Sequence, residues 1–318
     1  MSSAPSTSTV CVVIAAYNAA ATVGRAVESA LAQPEAAEVI VVDDASTDDT
    51  AASAQSADDG SGRLRILQQS RNFGPSAARN RAIAESRSPW IAVLDADDFF
   101  LPGRLKSLLA YRDEADLIAD DMWQVSEGNI DGPRRNLLGR SLPQPATISF
   151  AEFVLSNVTK QGRQRAELGF IKPLMRRAFI AAHAIHYRED MRLGEDFELY
   201  ARALALGARL LVIPAQGYVS VVRPGSLSGL HSETDLLRLR DCTRQIAQDI
   251  RLNDIDKKSL AAHYRSVDCR LQWRLLILAV KNNDWKAALA TFARPWPVPA
   301  YLVKQLALQV WIRSTKCP

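Results

Sequence analysis

The feature that most constrains the fold is a short segment, residues 90–98, in which an apolar strand runs directly into a cluster of carboxylates. The first five residues, WIAVL, are all apolar, which is typical of a parallel strand buried on both faces. Asp95, Asp97 and Asp98 follow within four positions. Carboxylates massed at the end of a buried strand repel one another and lose hydration unless a cation or hydrogen-bond donors compensate them. The segment therefore predicts either a divalent-cation site or a polar turn that caps the next helix.

Short apolar runs alternate with helical patterns on the amino-terminal side of this segment. Three more strands are predicted at residues 10–15, 39–42 and 64–67, with helices at residues 22–32 and 79–86. This alternation predicts an α/β protein with a mostly parallel, doubly wound sheet. Polar residues, including Tyr17 and the pair Asp43 and Asp44, follow the strands at the edge where ligands bind in such sheets. Neither a GxGxxG fingerprint nor a P-loop motif occurs, so dinucleotide and P-loop binding are not indicated.

The composition argues against several classes of protein. A net charge of +4 over 318 residues is too small to indicate nucleic acid as the main partner. The four cysteines lack CxxC and metal-ligand spacing, so free thiols in a reducing compartment are expected. Apolar runs stay shorter than the ~18 residues of a membrane-spanning helix, and residues 1–9 predict a loose tail without the features of a signal peptide. We expect a cytoplasmic protein that at most lies on the inner face of the membrane.

Five segments in order carry a resemblance to a known family: CVVIAAYNAAATVGRAVESALAQ, VIVVDDASTDDT, RNFGPSAARNRAI, WIAVLDADD and LGEDFELYARALALG. Together they span about residues 10–225. They resemble the family 2 inverting glycosyltransferases with a GT-A fold, and bacterial exopolysaccharide enzymes such as the succinoglycan-type glucosyltransferases look most similar. The resemblance implies transfer of a sugar from a UDP-sugar, UDP-glucose being the first candidate, to a hydroxyl of a glycan or lipid-linked oligosaccharide.

The same resemblance implies which residues bind the donor. Ala15 and Tyr17 match residues that line the nucleotide base, and Tyr17 would offer an aromatic face to uracil. Asp44 matches the residue that accepts from the uracil N–H, which a carboxylate can do because it only accepts hydrogen bonds. Arg79 matches a basic residue that would balance diphosphate charge. The alternatives are a tyrosine packed at a strand end and a surface arginine on a helix. Asp95 would lie near the ribose.

The resemblance also assigns the metal and the catalytic base. Asp97 matches the ligand of a Mg²⁺ or Mn²⁺ ion that bridges the two phosphates, and Asp98 would support it or lie near the sugar. Asp196 matches the base that takes the proton of the acceptor hydroxyl, with Glu195 less favoured. The alternative for this acidic pair is compensation of a helix dipole. His231, beyond a predicted mobile loop over the diphosphate, is either a further metal or phosphate contact or a surface histidine.

The domain organisation is predicted as a tail at residues 1–9, a catalytic domain at 10–232 and a helical extension at 233–318. The catalytic domain divides into a donor half at 10–100 and an acceptor half at 101–232, where Asp120 and Asp121 would lie beside the acceptor. From Arg270 onward, eight basic residues face one acid, Asp284, and tryptophans are interleaved. This pattern suits either a helix lying on an anionic membrane or a subdomain that packs on the core or forms a dimer.

Two other functions remain open on the sequence alone. A nucleotidyltransferase on a similar sheet would open with a glycine-rich, basic loop after its first strand, and residues 15–21 contain neither feature. A non-catalytic nucleotide-binding scaffold would not need both Asp97 and Asp196.

Overall fold

A computed structural model of the chain describes residues 8–139, 145–158, 167–223, 231–249 and 251–315. Its strands are β1 Val10–Ala16, β2 Ala36–Asp43, β3 Leu64–Gln68, β4 Trp90–Asp95, β5 Phe99–Phe100, β6 Leu117–Asp120, β7 Trp123–Ser126, β8 Arg135–Asn136, β9 Ala146–Ile148, β10 Leu174–Arg176, β11 Leu210–Ile213 and β12 Tyr218–Val222. Its helices are α1 Val23–Leu31, α2 Thr50–Ser56, α3 Pro75–Glu85, α4 Arg104–Leu109, α5 Phe150–Ser156, α6 Arg177–Ala182, α7 Glu195–Ala205, α8 Glu233–Ile246, α9 Asp254–Lys281, α10 Trp285–Phe292 and α11 Val298–Thr315.

The larger sheet has the strand order β3-β2-β1-β4-β10-β6-β11-β9 within the described ranges. Its first four strands are all parallel, which confirms the doubly wound half predicted from the apolar runs. The side chains of β1 and β4 are almost fully buried up to their last residues, because helices cover both faces of the sheet. In the register of these two strands Ala15 lies opposite Asp95, so the polar residues after both strands meet at one edge.

The short strand β10 makes the sheet mixed. It runs antiparallel between β4 and β6, while β11 continues parallel to β6 and β9 closes the edge in the antiparallel sense. Because β10 runs against β4, the chain that enters it passes the carboxyl end of β4. This brings Lys172, two residues before β10, to the same edge as Asp95.

A smaller sheet with the order β5-β12-β7-β8 lies beside this edge. Asp120, at the end of β6, fastens it to the larger sheet: the backbone N–H of Gly217, just before β12, donates to one carboxylate oxygen at 3.0 Å, and the fully buried Arg104 pairs with the other at 2.8 Å. Asp121 is also buried and accepts from the backbone N–H of Leu138 at 2.9 Å. Asp120 and Asp121, which were predicted to lie beside the acceptor, therefore accept hydrogen bonds from Arg104 and from backbone N–H groups of the protein.

The carboxyl-terminal helices pack directly onto the catalytic part. Leu236 and Leu239 of α8 and Leu260 of α9 belong to the main hydrophobic core. His263 of α9 stacks on Phe197 of α7, with 4.3 Å between ring centroids. The second half of α9 forms a separate small core with α10 and α11, built from Cys269, Leu276, Ala279, Ala288, Val298 and Leu302. The helical extension is thus present, and its division from the catalytic domain at residue 233 stays a prediction.

Candidate active site

Asp95, the last residue of β4, is held by two buried cations. Arg79 of α3 donates to one carboxylate oxygen at 2.8 Å, and the ammonium of Lys172 lies 3.1 Å from the other. Burial by itself would raise the pKa of Asp95, but Lys172 and Arg79 outweigh it and hold that pKa well below its ordinary value. Asp95 is therefore a fixed anion at the strand end.

Asp196 lies in the first turn of α7, at the other side of the same two cations. The ammonium of Lys172 donates to its Oδ2 at 2.6 Å, and Arg79 Nη1 lies 3.6 Å from its Oδ1. The neighbouring Glu195 accepts from Arg79 at 3.0 Å. These five side chains, Arg79, Lys172, Asp95, Glu195 and Asp196, are called the charge cluster below. It joins the end of β4 to the start of α7, so the two predicted functional segments meet.

Arg79, Lys172 and Asp196 of the charge cluster are buried, and Asp95 and Glu195 are partly buried, so the charges interact strongly. Burial alone would lower the pKa of Lys172, but Asp196 and Asp95 reverse the effect and raise it above its ordinary value, so the ammonium stays charged. Burial raises the pKa of Glu195, and the nearby Asp196 adds to the rise. Asp196 Oδ1 is buried and receives no hydrogen bond from the described residues. An orphaned acceptor of this kind is costly unless a ligand donates to it.

The start of α7 depends on a glycine. Gly194 precedes the helix with a φ of 72°, in the left-handed region that side chains other than glycine rarely adopt. A Cβ atom at this position would also lie 2.7 Å from a methyl group of Leu239 in α8. The turn that presents Glu195 and Asp196 is thus fixed by glycine and by the packing of α8.

Asp97 and Asp98 have different surroundings, although they are adjacent in sequence. Asp98 is buried and accepts from the backbone N–H of Val221 in β12 at 2.8 Å, so it fastens the smaller sheet to the strand end. The Asp97 side chain is 40% exposed, with the guanidinium of Arg223 at 3.5 Å. Burial raises the pKa of Asp97, and the Asp95 carboxylate adds to the rise. Asp97 is thus an accessible carboxylate in a place that favours positive charge.

The described residues contain no group of three or more His, Cys, Asp or Glu side chains arranged to hold a metal ion. A cation at Asp97 would therefore complete its coordination with oxygens of a bound substrate and with water, as Mg²⁺ commonly does. The predicted loop over the diphosphate falls largely on residues 224–230, which lie outside the described residues. His231 follows them directly, and its contact with metal or phosphate stays a prediction.

The predicted nucleotide-base residues lie around the end of β1. Tyr17 is 50% exposed, so its ring is available to a ligand. Asp44 is buried and accepts three hydrogen bonds, from Gln69 Nε2 at 2.7 Å and from the backbone N–H groups of Phe73 at 2.9 Å and Gly74 at 2.7 Å. A carboxylate offers about four acceptor positions, so about one remains for a ligand. The roles assigned to Ala15, Tyr17 and Asp44 stay predictions.

Arg79 has surroundings that the sequence did not indicate. It is buried and pairs with carboxylates rather than facing solvent as a surface arginine would. Its predicted contact with the diphosphate stays untested, and its observed partners give it a role in joining β4 to α7. The sequence pattern does not predict a role for Lys172, because a single lysine before a short strand belongs to no recognisable motif. Its position between two apolar segments was the only available signal.

Comparison with known proteins identifies the family of the chain. The sequence profile described as glycosyl transferase family 2 matches residues 11–179. The chain is 49% identical over 275 residues to the succinoglycan biosynthesis protein ExoU of Rhizobium meliloti (strain 1021), which covers 86% of this chain and 80% of that protein. It is 38% identical over 244 residues to the succinoglycan biosynthesis protein ExoO of the same strain, covering 74% of this chain and 66% of that protein.

Two solved structures share the fold. The crystal structure of S. aureus TarS 1–349 in complex with UDP-GlcNAc superposes with a TM-score of 0.64 at 18% identity, covering 89% of this chain and 90% of that one. The mannosyltransferase PcManGT from Pyrobaculum calidifontis, in complex with GDP-Man and Mn²⁺, gives a TM-score of 0.59 at 18% identity, covering 96% and 83%. The resemblance and the fold predicted from the sequence are confirmed, and the nucleotidyltransferase and scaffold alternatives are not supported. The chain belongs to glycosyl transferase family 2 and is a glycosyltransferase with the GT-A fold.

Proposed function

We propose that this enzyme transfers a sugar from a UDP-sugar to a hydroxyl of a glycan acceptor, with inversion at the anomeric carbon, during synthesis of an exopolysaccharide. The observation that carries the proposal is the charge cluster, which holds the strand-end Asp95 and the helix-start Asp196 on the same two cations. The relatives in succinoglycan biosynthesis support the acceptor class. The proposed acceptor is a glycan or a lipid-linked oligosaccharide.

In the proposed reaction Asp196 is the base. The acceptor hydroxyl gives its proton to Asp196 Oδ1, the buried oxygen without a hydrogen bond, as its oxygen attacks the anomeric carbon. The new carbon–oxygen bond forms on one face of the sugar while the bond to the diphosphate breaks on the other, and the electron pair leaves with UDP. One displacement inverts the anomeric centre. Lys172 orients the carboxylate by holding Oδ2.

We propose Asp97 as the protein ligand of a divalent cation, Mg²⁺ or Mn²⁺. Its partly exposed carboxylate, beside the negative charge of Asp95, suits a hard cation. Such an ion stabilises the negative charge that develops on a leaving diphosphate. The mannosyltransferase with Mn²⁺ in its complex supports this choice. Arg223, whose Nη2 lies 3.5 Å from Asp97, would add positive charge beside the diphosphate.

We propose uracil as the base of the donor. Tyr17 would stack on the uracil ring, and the remaining acceptor position of Asp44 would accept a hydrogen bond from the ring N–H of uracil. Adenine has no N–H at the matching ring position. The TarS complexes with UDP-GlcNAc and UDP support a uridine donor. UDP-glucose is the proposed sugar donor because the sequence resembles glucosyltransferases.

Thermal unfolding with nucleotides tests the choice of base. UDP should raise the melting temperature more than GDP or ADP at equal concentration, because the ligand that binds most tightly stabilises the native state most. A ligand at 100 times its Kd stabilises that state by about 2.7 kcal/mol. Tyr17→Ala should reduce the shift with UDP while leaving the unfolding temperature of the free protein nearly unchanged, since Tyr17 is half exposed. Equal shifts with all three nucleotides would remove the uracil assignment.

The proposed place of action is the cytoplasmic side of the membrane, where nucleotide-sugars and lipid-linked acceptors meet. Within the described part of the chain, no helix combines the length and the apolar character needed to cross a bilayer. Any membrane contact made by these residues would therefore be peripheral.

A further inference from the structure

The carboxyl-terminal helices expose an unusual number of large apolar side chains. Trp285 in α10, Trp296 before α11 and Trp311 in α11 are 63%, 77% and 62% exposed. Large aliphatic side chains accompany them on the same two helices. The set defined here as the C-terminal apolar face consists of Trp285, Leu289, Trp296, Val303, Leu306, Leu308, Val310 and Trp311, all of them exposed.

The small core beneath this face does not use these residues. It is formed by α9 together with Ala288 of α10 and with Val298 and Leu302 of α11, which are buried. Beyond Leu302, the described side chains of α11 are exposed on nearly every side up to Trp311. A helix that is apolar around most of its circumference is normally covered by protein or lipid. Packing among the described residues therefore leaves most of this face exposed.

The charge of the same segment is entirely positive. Residues 285–318 contain five Lys and Arg residues and no Asp or Glu. Lys286 of α10 and Lys304 of α11 are exposed, and so is Arg294 in the connection between these helices. Long basic side chains can bury their methylene stems against an apolar surface while their charged ends reach lipid headgroups. Tryptophan is also the side chain most typical of a membrane–water interface.

We propose that the C-terminal apolar face docks on an anionic phospholipid bilayer, with α10 and α11 lying in the interface. The tryptophans enter the headgroup region, and Lys286, Arg294 and Lys304 contact lipid phosphates. A second copy of the chain fits this face less well. A two-fold interface would place the same positive segment against itself, with no acid in residues 285–318 to neutralise it. This inference does not depend on which sugar nucleotide the enzyme uses.

Co-sedimentation of the full chain with vesicles tests the docking. We expect binding to vesicles of phosphatidylcholine with about a third phosphatidylglycerol, weaker binding to phosphatidylcholine alone, and a decrease at high salt. The triple variant Lys286→Gln, Arg294→Gln and Lys304→Gln should lower partitioning to anionic vesicles by about a hundredfold, because each basic residue near an anionic surface contributes roughly fivefold. The triple variant Trp285→Ser, Trp296→Ser and Trp311→Ser should lose binding to both kinds of vesicle.

A matched control lies at the other end of α9. Ile255 is 68% exposed, and Lys257 and Lys258 are exposed beside it. At ~1.5 Å per residue, Ile255 lies about 35 Å along α9 from Leu278, which is near the end of the helix that leads into α10. Ile255→Ser with Lys257→Gln and Lys258→Gln should leave vesicle binding unchanged. Substitutions are preferable to a truncation before α9, because Leu260, Val267 and Leu271 belong to the main core.

Three outcomes would overturn the proposal. They are failure of the native chain to sediment with anionic vesicles, an equal loss of binding in the control variant, and unchanged binding in both triple variants. Light scattering of the native chain decides the alternative: a stable dimer that the tryptophan variant dissociates would assign the face to a second copy. Far-ultraviolet circular dichroism and unfolding temperatures close to those of the native chain would verify that the variants are folded.

Discussion

Replacing Asp196 by asparagine is expected to lower kcat by ~10²–10⁴, the usual contribution of a general base. An amide at this position keeps the shape of the side chain but cannot take the proton of the acceptor hydroxyl. Binding of the donor should remain nearly intact, because Arg79, the predicted diphosphate contact beside Asp196, keeps its pairs with Asp95 and Glu195. Steady-state kinetics give kcat, and calorimetry with UDP gives the binding constant.

Two companion variants separate catalysis from positioning. Glu195→Gln changes the neighbouring carboxylate, whose ion pair within the described residues is with Arg79, so its effect on kcat should be much smaller. Lys172→Met removes the donor that holds Asp196 Oδ2, so it should lower kcat and leave Arg79 as the cation that Asp95 and Asp196 share among the described residues. If Asp196→Asn keeps its kcat and changes only KM, Asp196 is a positioning residue and the base lies elsewhere.

Replacing Asp97 by asparagine is expected to reduce transfer by at least ~10²-fold, because stabilisation of developing charge is often the largest single contribution to catalysis. The variant should also lose the increase in UDP affinity that Mn²⁺ produces in the native enzyme. Calorimetry with UDP, in the presence and absence of Mn²⁺, measures this difference directly.

Asp113→Asn provides a matched control for the same chemical change. The Asp113 side chain is 87% exposed and pairs only weakly with its neighbour Arg112 at 3.8 Å. It should retain native activity and native metal dependence. Undiminished metal-dependent UDP binding in Asp97→Asn would show that the cation is held by other groups.

The parallel half of the fold could be predicted because its strands are continuous apolar runs. A strand buried on both faces has few alternatives once helical patterns flank it, so β1, β2 and β4 could be recognised. The half-buried edge strand β3 was indicated by its place in the same alternation. Pro75 marked the first turn of α3 for a similar local reason. Strand β10 could not be found in this way, since three residues carry too little periodicity.

The candidate site was predictable in part. Asp95, Asp97 and Asp98 follow one strand, so their shared location is a local property of the sequence. Their different environments are not local: Asp98 is fixed by a backbone N–H of β12 more than 100 positions away, and Asp97 is left accessible. The partners of Arg79 and the position of Lys172 likewise depend on tertiary packing. No local pattern could have indicated that these two cations link Asp95 to Asp196.

The central claim is metal-dependent transfer from a UDP-sugar by a chain that uses Asp97 and Asp196. A screen of UDP-, dTDP-, GDP- and ADP-sugars with Mg²⁺ or Mn²⁺, reading the nucleoside diphosphate released, tests it most directly. We predict release of UDP from a UDP-sugar, loss of that release on chelation of the metal, and a large decrease in both Asp97→Asn and Asp196→Asn. Release from GDP- or ADP-sugars instead, or release that neither chelation nor these variants affect, would contradict the account.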